Sequence, residues 1–355
     1  MKILYIIDGL KGGGKERQLV EIIKNIDAKE FNIGIVTFND NQHYTEEIKN
    51  KVTYFRYLKK RPTRLEPLIS IWKCFEEFKP DIIHTWDSIS GFYSFLPGKF
   101  YNTKHINGSI RDAGTDKGWE YKLKRFFLKK ADFIISNSLA GLKAYRVNGQ
   151  VIYNIIDISR FYPKVQSSDF NLVMTANFTD YKDHQTFLKA AAILAGNKIV
   201  NEVYLLGDGP HREKHIKWLK ESHSDIFEKF HFPGAVYNIE EYLAKCSIGV
   251  LCSTPEYSEG LSNAVLEYMA AGLVPIVTNL GGSAEIINNG INGYLIQPGD
   301  YQSIVNLVQN IKADNKLQEM LLSNAKDTIS EKFTMTNNLK KLSSFYRSIG
   351  NTDKN

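Results

Sequence analysis

The chain has only three cysteines in 355 residues, Cys74, Cys246 and Cys252. Three cannot make a disulfide framework and no two form a CxxC pair, so a reducing, cytoplasmic setting is favoured over secretion. No uninterrupted apolar run approaches the roughly 18 residues of a membrane-spanning helix. The apolar N-terminal run, residues 3–7, stops at Asp8 and reads as a strand rather than a signal peptide. No short-period repeat is visible, which excludes a solenoid. The dinucleotide fingerprint GxGxxG and the metalloprotease pattern HExxH are both missing. With 43% apolar and 24% charged residues, the composition also excludes collagen-like, low-complexity and wholly disordered chains.

What is present is enough chain for about two domains. The net charge of +6 is unevenly spread: residues 1–155 carry +9 and the remainder −3. A basic half and a mildly acidic half meet different partners, and an anionic membrane or nucleic acid suits the first. Short apolar, β-branched runs alternate with longer helical stretches throughout. Runs 3–8, 32–38, 52–57, 81–86, 104–109, 132–138 and 151–154 read as strands of one domain. Runs 171–177, 203–208, 229–234, 247–253, 273–279 and 293–297 read as strands of another. Their near-continuous apolar character predicts parallel strands buried on both faces, joined by crossover helices. The polar stretch 157–169 is the expected linker, giving domains at 1–160 and 165–335. A final helix, about 336–355, carries Leu339, Leu342, Phe345 and Tyr346 at helical spacing and is a candidate to pack back on the first domain.

Three glycine-bearing turns follow predicted strands. In the first, Asp8-Gly9-Leu10-Lys11-Gly12-Gly13-Gly14-Lys15-Glu16, the spacing approaches a phosphate-cradling P-loop. Glu16 stands where that loop needs a Ser or Thr for Mg²⁺, so a tight turn into a helix with free backbone amides is the better reading. The second, Gly207-Asp208-Gly209-Pro210, lets a backbone approach a ligand ahead of a helix. The third, Ser258-Glu259-Gly260-Leu261-Ser262-Asn263, opens a helix near Leu261 or Ser262 that stops at Gly272. The amides of Leu261 to Asn263 then form an anion site at a helix N-terminus. Glu259 in the loop and Glu267 in the helix are placed to receive hydroxyls on either side of a bound diphosphate.

Glu259 and Glu267, with seven residues between them, are followed by the run 273–278 and by Gly281-Gly282-Ser283-Ala284-Glu285-Ile286-Ile287. Together these resemble the E-x7-E signature of glycosyltransferase family four. The similarity extends to Gly207-Asp208-Gly209-Pro210, to Tyr153-Asn154-Ile155-Ile156-Asp157 with Phe161, and to Gly13-Gly14-Lys15-Glu16-Arg17. It implies an α/β protein of the GT-B fold, two Rossmann-like doubly wound domains facing across a cleft. The implied enzyme is a retaining glycosyltransferase that needs no metal or other cofactor. It would move a hexose or N-acetylhexosamine from a nucleoside diphosphate sugar, UDP-sugar favoured, to a glycan or lipid-linked acceptor in surface polysaccharide or glycoconjugate synthesis. The first domain would then take the acceptor and the second the donor.

By position, the resemblance makes Lys182 the diphosphate-binding lysine and Glu259 the carboxylate that holds the donor sugar's hydroxyls near the reacting carbon, and these two are the catalytic candidates. Glu267 would hold the ribose hydroxyls, and Gly260, Leu261, Ser262, Asn177, Gly207, Asp208 and Gly209 would complete the donor site. Gly13, Gly14, His84 and Arg111 fall on the acceptor or cleft side. Three positions depart from the family pattern. The usual Arg, five residues before the lysine, is Asn177; either Arg111 or His105 stands where many members place a histidine; and Ile155 replaces a glycine. A catalytically silent nucleotide-sugar-binding partner and a GT-B nucleotide-sugar epimerase are the alternatives.

Other candidates read more simply as structure. His211 and His215 have metal-ligand spacing but no third ligand, and fit a solvated helix face. Cys246 and Cys252 flank a buried strand. Residues 119–131 read as a helix whose stripe Trp119, Leu123, Phe126 and Phe127 is expected to pack on the first sheet. Its other face, with Lys122, Lys124, Arg125, Lys129 and Lys130, and the cluster Lys59, Lys60, Arg61 and Arg64, are expected to dock on an anionic cytoplasmic leaflet. No nucleic-acid-reading module is present.

Overall fold

The computed structural model describes residues 1–39, 43–58, 66–114, 118–161, 169–256 and 258–351. The basic cluster at residues 59–64 lies outside the described residues. The chain forms two compact units, Met1–Ile155 with Met335–Asn355, and Ile156–Thr334.

The first unit holds strands β1 (Lys2–Ile7), β2 (Asn32–Thr37), β3 (Tyr54–Tyr57), β4 (Ile82–Thr85), β5 (Lys104–Ile110), β6 (Phe133–Ser136) and β7 (Gln150–Val151). They form a parallel sheet in the order β3-β2-β1-β4-β5-β6-β7. Its helices are α1 (Gly14–Asn25), α2 (Thr45–Ile48), α3 (Glu66–Phe78), α4 (Ser88–Phe100), α5 (Trp119–Lys130) and α6 (Leu139–Tyr145). Successive side chains of β1 point to opposite faces. Ile3, Tyr5 and Ile7 pack under Leu19 and Ile23 of α1, while Leu4 and Ile6 pack under Ile71 and Phe75 of α3. This two-sided burial is why the strands read as unbroken apolar runs. Asp87 starts α4 by accepting the Ser90 amide at 2.9 Å, a capping bond that replaces a missing intrahelical partner.

The second unit holds β8 (Leu172–Thr175), β9 (Val203–Leu206), β10 (Phe230–Gly234), β11 (Ile248–Leu251), β12 (Val274–Thr278) and β13 (Tyr294–Ile296), ordered β10-β9-β8-β11-β12-β13 and all parallel. Around them run α7 (His184–Gly196), α8 (Arg212–Ser222), α9 (Ile239–Leu243), α10 (Asn263–Ala270), α11 (Ser283–Ile286), α12 (Tyr301–Ala313) and α13 (Asn315–Thr328). Each apolar run read as a strand overlaps one, with bounds that differ by at most three residues.

The last helix, α14 (Met335–Asn351), belongs to the first unit. Its Leu342 and Tyr346 join the core beside α1. The Tyr346 hydroxyl lies 2.7 Å from both the Tyr5 hydroxyl and His84 Nδ1, and Arg347 makes a two-pronged pair with Glu30.

Helix α5 is turned round from the sequence expectation. Leu128 is its one wholly buried side chain. Tyr121 stacks on Tyr145 at 5.1 Å, Lys124 pairs with Asp112 at 2.7 Å, and Arg125 Nε donates to the Tyr145 carbonyl. These inward tethers leave Trp119, Leu123 and Phe126 exposed instead of packed on the sheet. Of the expected stripe, only Phe127 turns inward, against Phe92 and Phe95 of α4.

Candidate functional site

In the second sheet the chain runs from β8 outward to β10, then returns to lay β11 on the other side of β8. That reversal opens a crevice at the carboxyl ends of β8 and β11, the place where doubly wound sheets bind ligands. The loop after β8 carries Lys182 and the loop after β11 carries Glu259. Backbone bonds stitch the loops together: the Asp183 amide donates to the Cys252 carbonyl at 3.1 Å and the Thr254 amide to Tyr181 at 3.0 Å. Across this seam Lys182 Nζ meets Glu259 Oε2 at 2.7 Å. The lysine side chain is 8% exposed and the glutamate 31%, so the pair has a dry end and a wet end.

Glu259 is held from its own backbone. Its carbonyl accepts the Gly282 amide at 3.1 Å. Gly281 has φ +55°, and a Cβ there would lie 1.9 Å from the same carbonyl oxygen, so only glycine allows the two loops to touch. Eight residues on, Glu267 is buried within α10. The helix starts at Asn263, with Ser262 as its cap position in extended conformation and no capping bond from the Ser262 side chain. Leu261 is buried, while Ser262 and Asn263 are partly exposed. Helix α10 is anchored by Tyr268, whose hydroxyl accepts the Thr175 amide at 2.6 Å and donates to the Val250 carbonyl at 3.3 Å.

The turn after β9 completes this edge. Gly207 has φ +139°, and a Cβ would stand 2.2 Å from the Ala176 carbonyl oxygen, so the β9 turn closes directly onto the lysine loop. The Asp208 carbonyl accepts the Phe178 amide, and its side chain accepts the Gly209 amide. Asn177 is exposed between them. Sequence reasoning missed His184, two residues after Lys182. Its ring stacks on Phe178 at 3.9 Å, with nitrogens 3.2 and 3.3 Å from the Lys182 and Ala176 carbonyls, pinning both ends of the lysine loop. Burial pushes its pKa down to about 4.

His211 and His215 are half-buried rather than fully solvated. His211 bonds Asp180 at 2.7 Å, and the His215 ring lies 5.6 Å from His184. Among the described residues no group of three or more His, Cys, Asp or Glu side chains could hold a metal ion. Cys246 and Cys252 are buried in the core and form no disulfide.

The first sheet has its own reversal, between β1 and β4. Gly13 is the cap position of α1 and Gly14 its first residue. Lys15 reaches back to Asp8 at 2.8 Å, and lies 3.7 Å from Glu16 and 3.9 Å from Asp87. A lysine ringed by three carboxylates is a poor phosphate ligand, which speaks against the P-loop reading. Burial raises the pKa of both Glu16 and Asp87, against the pull of Lys15. His84 is not at a rim: it is fully buried under α14 and its pKa falls well below the ordinary value through burial. His105 lies at the entry of β5, bonded to Thr85 at 3.0 Å, while Arg111 follows its carboxyl end. Of the two, Arg111 is the one at the carboxyl edge of the sheet. Its guanidinium stacks 3.9 Å above Trp86, and Nε donates to the Gly108 carbonyl. Burial lowers its pKa to about 10.

Two family models tile the chain. Residues 12–160 match Glycosyltransferase Family 4 and residues 156–328 match Glycosyl transferases group 1. The chain belongs to glycosyltransferase family four. An N-acetyl-alpha-D-glucosaminyl L-malate synthase of Bacillus anthracis is 28% identical over 253 residues, covering 66% of this transferase and 64% of that protein. A UDP-Gal:alpha-D-GlcNAc-diphosphoundecaprenol alpha-1,3-galactosyltransferase of Escherichia coli is 23% identical, covering 79% of each chain. A Campylobacter jejuni alpha-1,4-N-acetyl-D-galactosaminyltransferase acting on an undecaprenol-linked saccharide is 25% identical, covering 92% and 93%. Among solved structures, Anabaena HepE in complex with UDP superposes with a TM-score of 0.84 at 19% identity, covering 98% of this glycosyltransferase and all of HepE. The two parallel α/β units are those of the GT-B fold.

Proposed function

We propose that this glycosyltransferase takes a hexose or N-acetylhexosamine from a UDP-sugar and transfers it, with retention, to a lipid-linked or glycan acceptor of surface polysaccharide or glycoconjugate synthesis. The observation that carries the reading is the Lys182–Glu259 pair, 2.7 Å apart where β8 and β11 diverge. It sets a cation for the diphosphate beside a carboxylate for the sugar, at the junction where the bond must break. The names of the relatives support the substrate classes: the E. coli protein is named for UDP-Gal and a diphosphoundecaprenol acceptor.

Glu267, buried eight residues beyond Glu259, receives the ribose hydroxyls, and the amides opening α10 receive the diphosphate. As the bond from the anomeric carbon to the phosphate oxygen breaks, negative charge grows on the leaving diphosphate. Lys182 stabilises that charge without a metal, from a position fixed in advance by His184 and the loop seam. The acceptor oxygen attacks from the same face and its proton passes to the departing phosphate oxygen, so UDP leaves and configuration is retained.

Incubation with a panel of nucleotide sugars tests the reading through release of nucleoside diphosphate and the anomeric NMR of the product. UDP release that depends on acceptor, with a retained anomeric centre, is expected. An inverted product would overturn it, as would binding without turnover or epimerisation without an acceptor.

A further inference from the structure

Among the described residues, large apolar side chains on the surface concentrate on three neighbouring helices of the first unit. Helix α4 exposes Ile89, Phe92, Leu96 and Phe100, and α5 exposes Trp119, Leu123 and Phe126. Helix α3 adds Ile69. Phe100 and Trp119 are each 71% exposed. Aromatic contacts join the three faces into one surface: Phe100 meets Trp72 of α3 at 5.0 Å, and Phe92 meets Phe127 of α5 at 5.3 Å. Soluble monomers rarely leave so contiguous an apolar patch facing water.

On the exposed arcs of α4 and α5 the charges are of one sign, while Glu76 of α3, bonded to the Tyr101 hydroxyl, lies at the patch edge. At about 100° per residue, Trp119, Lys122, Leu123, Phe126, Lys129 and Lys130 fall within an arc of about 120° on α5, and all six are exposed. Lys99, half exposed and 3.5 Å from Asp132, lies on the same arc of α4 as Leu96 and Phe100. Residues 88–100 contain no Asp or Glu, and α5 contains one, Glu120, outside the arc. Lys124 and Arg125, the helix's other cations, are tied inward to Asp112 and the Tyr145 carbonyl. A buried protein partner asks for charge-poor apolar surface, and a nucleic acid asks for cations without a greasy ridge. Bulky apolar groups flanked by lysines match an anionic lipid bilayer, whose headgroups take the ammonium ions while its acyl boundary takes the rings. No helix among the described residues is long and apolar enough to cross a membrane.

We propose that the α4–α5 face inserts Phe92, Leu96, Phe100, Trp119, Leu123 and Phe126 into the headgroup and acyl boundary of an anionic leaflet, with Lys99, Lys122, Lys129 and Lys130 on its phosphates. The mode is insertion by the exposed ridge, in place of the purely electrostatic contact expected from the sequence. It is independent of donor chemistry, since vesicle binding needs no nucleotide sugar.

Co-sedimentation with vesicles of phosphatidylcholine, alone and mixed with phosphatidylglycerol, tests it. Binding to the mixed vesicles is expected, with a blue shift of tryptophan emission and a part that survives high salt. Trp119→Ser with Phe126→Ser should remove the salt-resistant part and the blue shift. Lys122→Gln, Lys129→Gln and Lys130→Gln together should weaken binding to mixed vesicles about a hundredfold. All five side chains are exposed, so circular dichroism and UDP affinity should match the wild type in both variants. The proposal is overturned by absence of binding at low salt, or by wild-type binding in the double-serine variant. It is equally overturned if light scattering shows a dimer that this variant dissociates, because a second copy would then cover the face.

Discussion

Lys182 and Glu259 satisfy each other, so removing either changes the other's role. With Lys182→Ala the diphosphate loses a charge-assisted bond of about 1.5–3 kcal/mol, and donor affinity should fall roughly ten- to a hundredfold. Glu259→Ala leaves the lysine to the phosphates and removes contacts beside the breaking bond. Its expected effect is a fall of about a hundredfold or more in kcat with little change in donor affinity. Separate measurement of donor Kd and single-turnover rate distinguishes the two, and a weakened Kd with normal kcat in Glu259→Ala would contradict the assignment. Histidines supply a second residue-scale expectation. Burial, opposed by Asp132, brings His105 down to about 4, and burial with Arg111 and His105 nearby also lowers His84. Between about pH 6.5 and 4 the unfolded chain binds protons that these buried rings refuse, so stability rises with pH in that window. Thermal unfolding should therefore show the first unit weakening as pH falls from 7.5 to about 5, with a shallower slope in His105→Asn. The paired glutamates were legible because their spacing is local, and Lys182 only through the family resemblance. His184 was not, since its role depends on Phe178 and two carbonyls that only the closed loop brings round it.

Helix α10 is positioned by one aromatic side chain. The Tyr268 ring fills the place of a side chain at Gly249, where a Cβ would lie 2.3 Å from it. Its hydroxyl closes the Thr175 amide and Val250 carbonyl at the ends of β8 and β11. Tyr268→Phe leaves the amide without that acceptor and should cost about 1–3 kcal/mol in urea unfolding; an unchanged midpoint would show that the bridge contributes nothing. Strands were readable because burial on both faces writes itself as an unbroken apolar run, as in β1 and β12. Helix α5 was misread for a physical reason. A stripe at helical spacing has the same pattern whether it faces a core or a lipid boundary. What turns the helix is Asp112 and Tyr145, which lie outside it and are invisible to its periodicity.

At the scale of the molecule, both units gather paired charges at the reversal point of their own sheet. The second has Lys182 and Glu259 between β8 and β11, and the first has Lys15 with Asp8 and Asp87 between β1 and β4. The chain returns at its end to seal the first unit with α14, through Tyr346 on Tyr5 and His84. The basic balance of residues 1–155 resides partly in the lysines of the α4–α5 face, while the acidic remainder carries the paired glutamates. The donor-site claim is tested most directly by titration calorimetry with UDP, in the presence of a chelator, on the wild type, Lys182→Ala and Glu267→Ala. The wild type should bind without metal and both variants at least tenfold more weakly. Equal affinity in all three proteins, or binding by the wild type only after metal is restored, would contradict it.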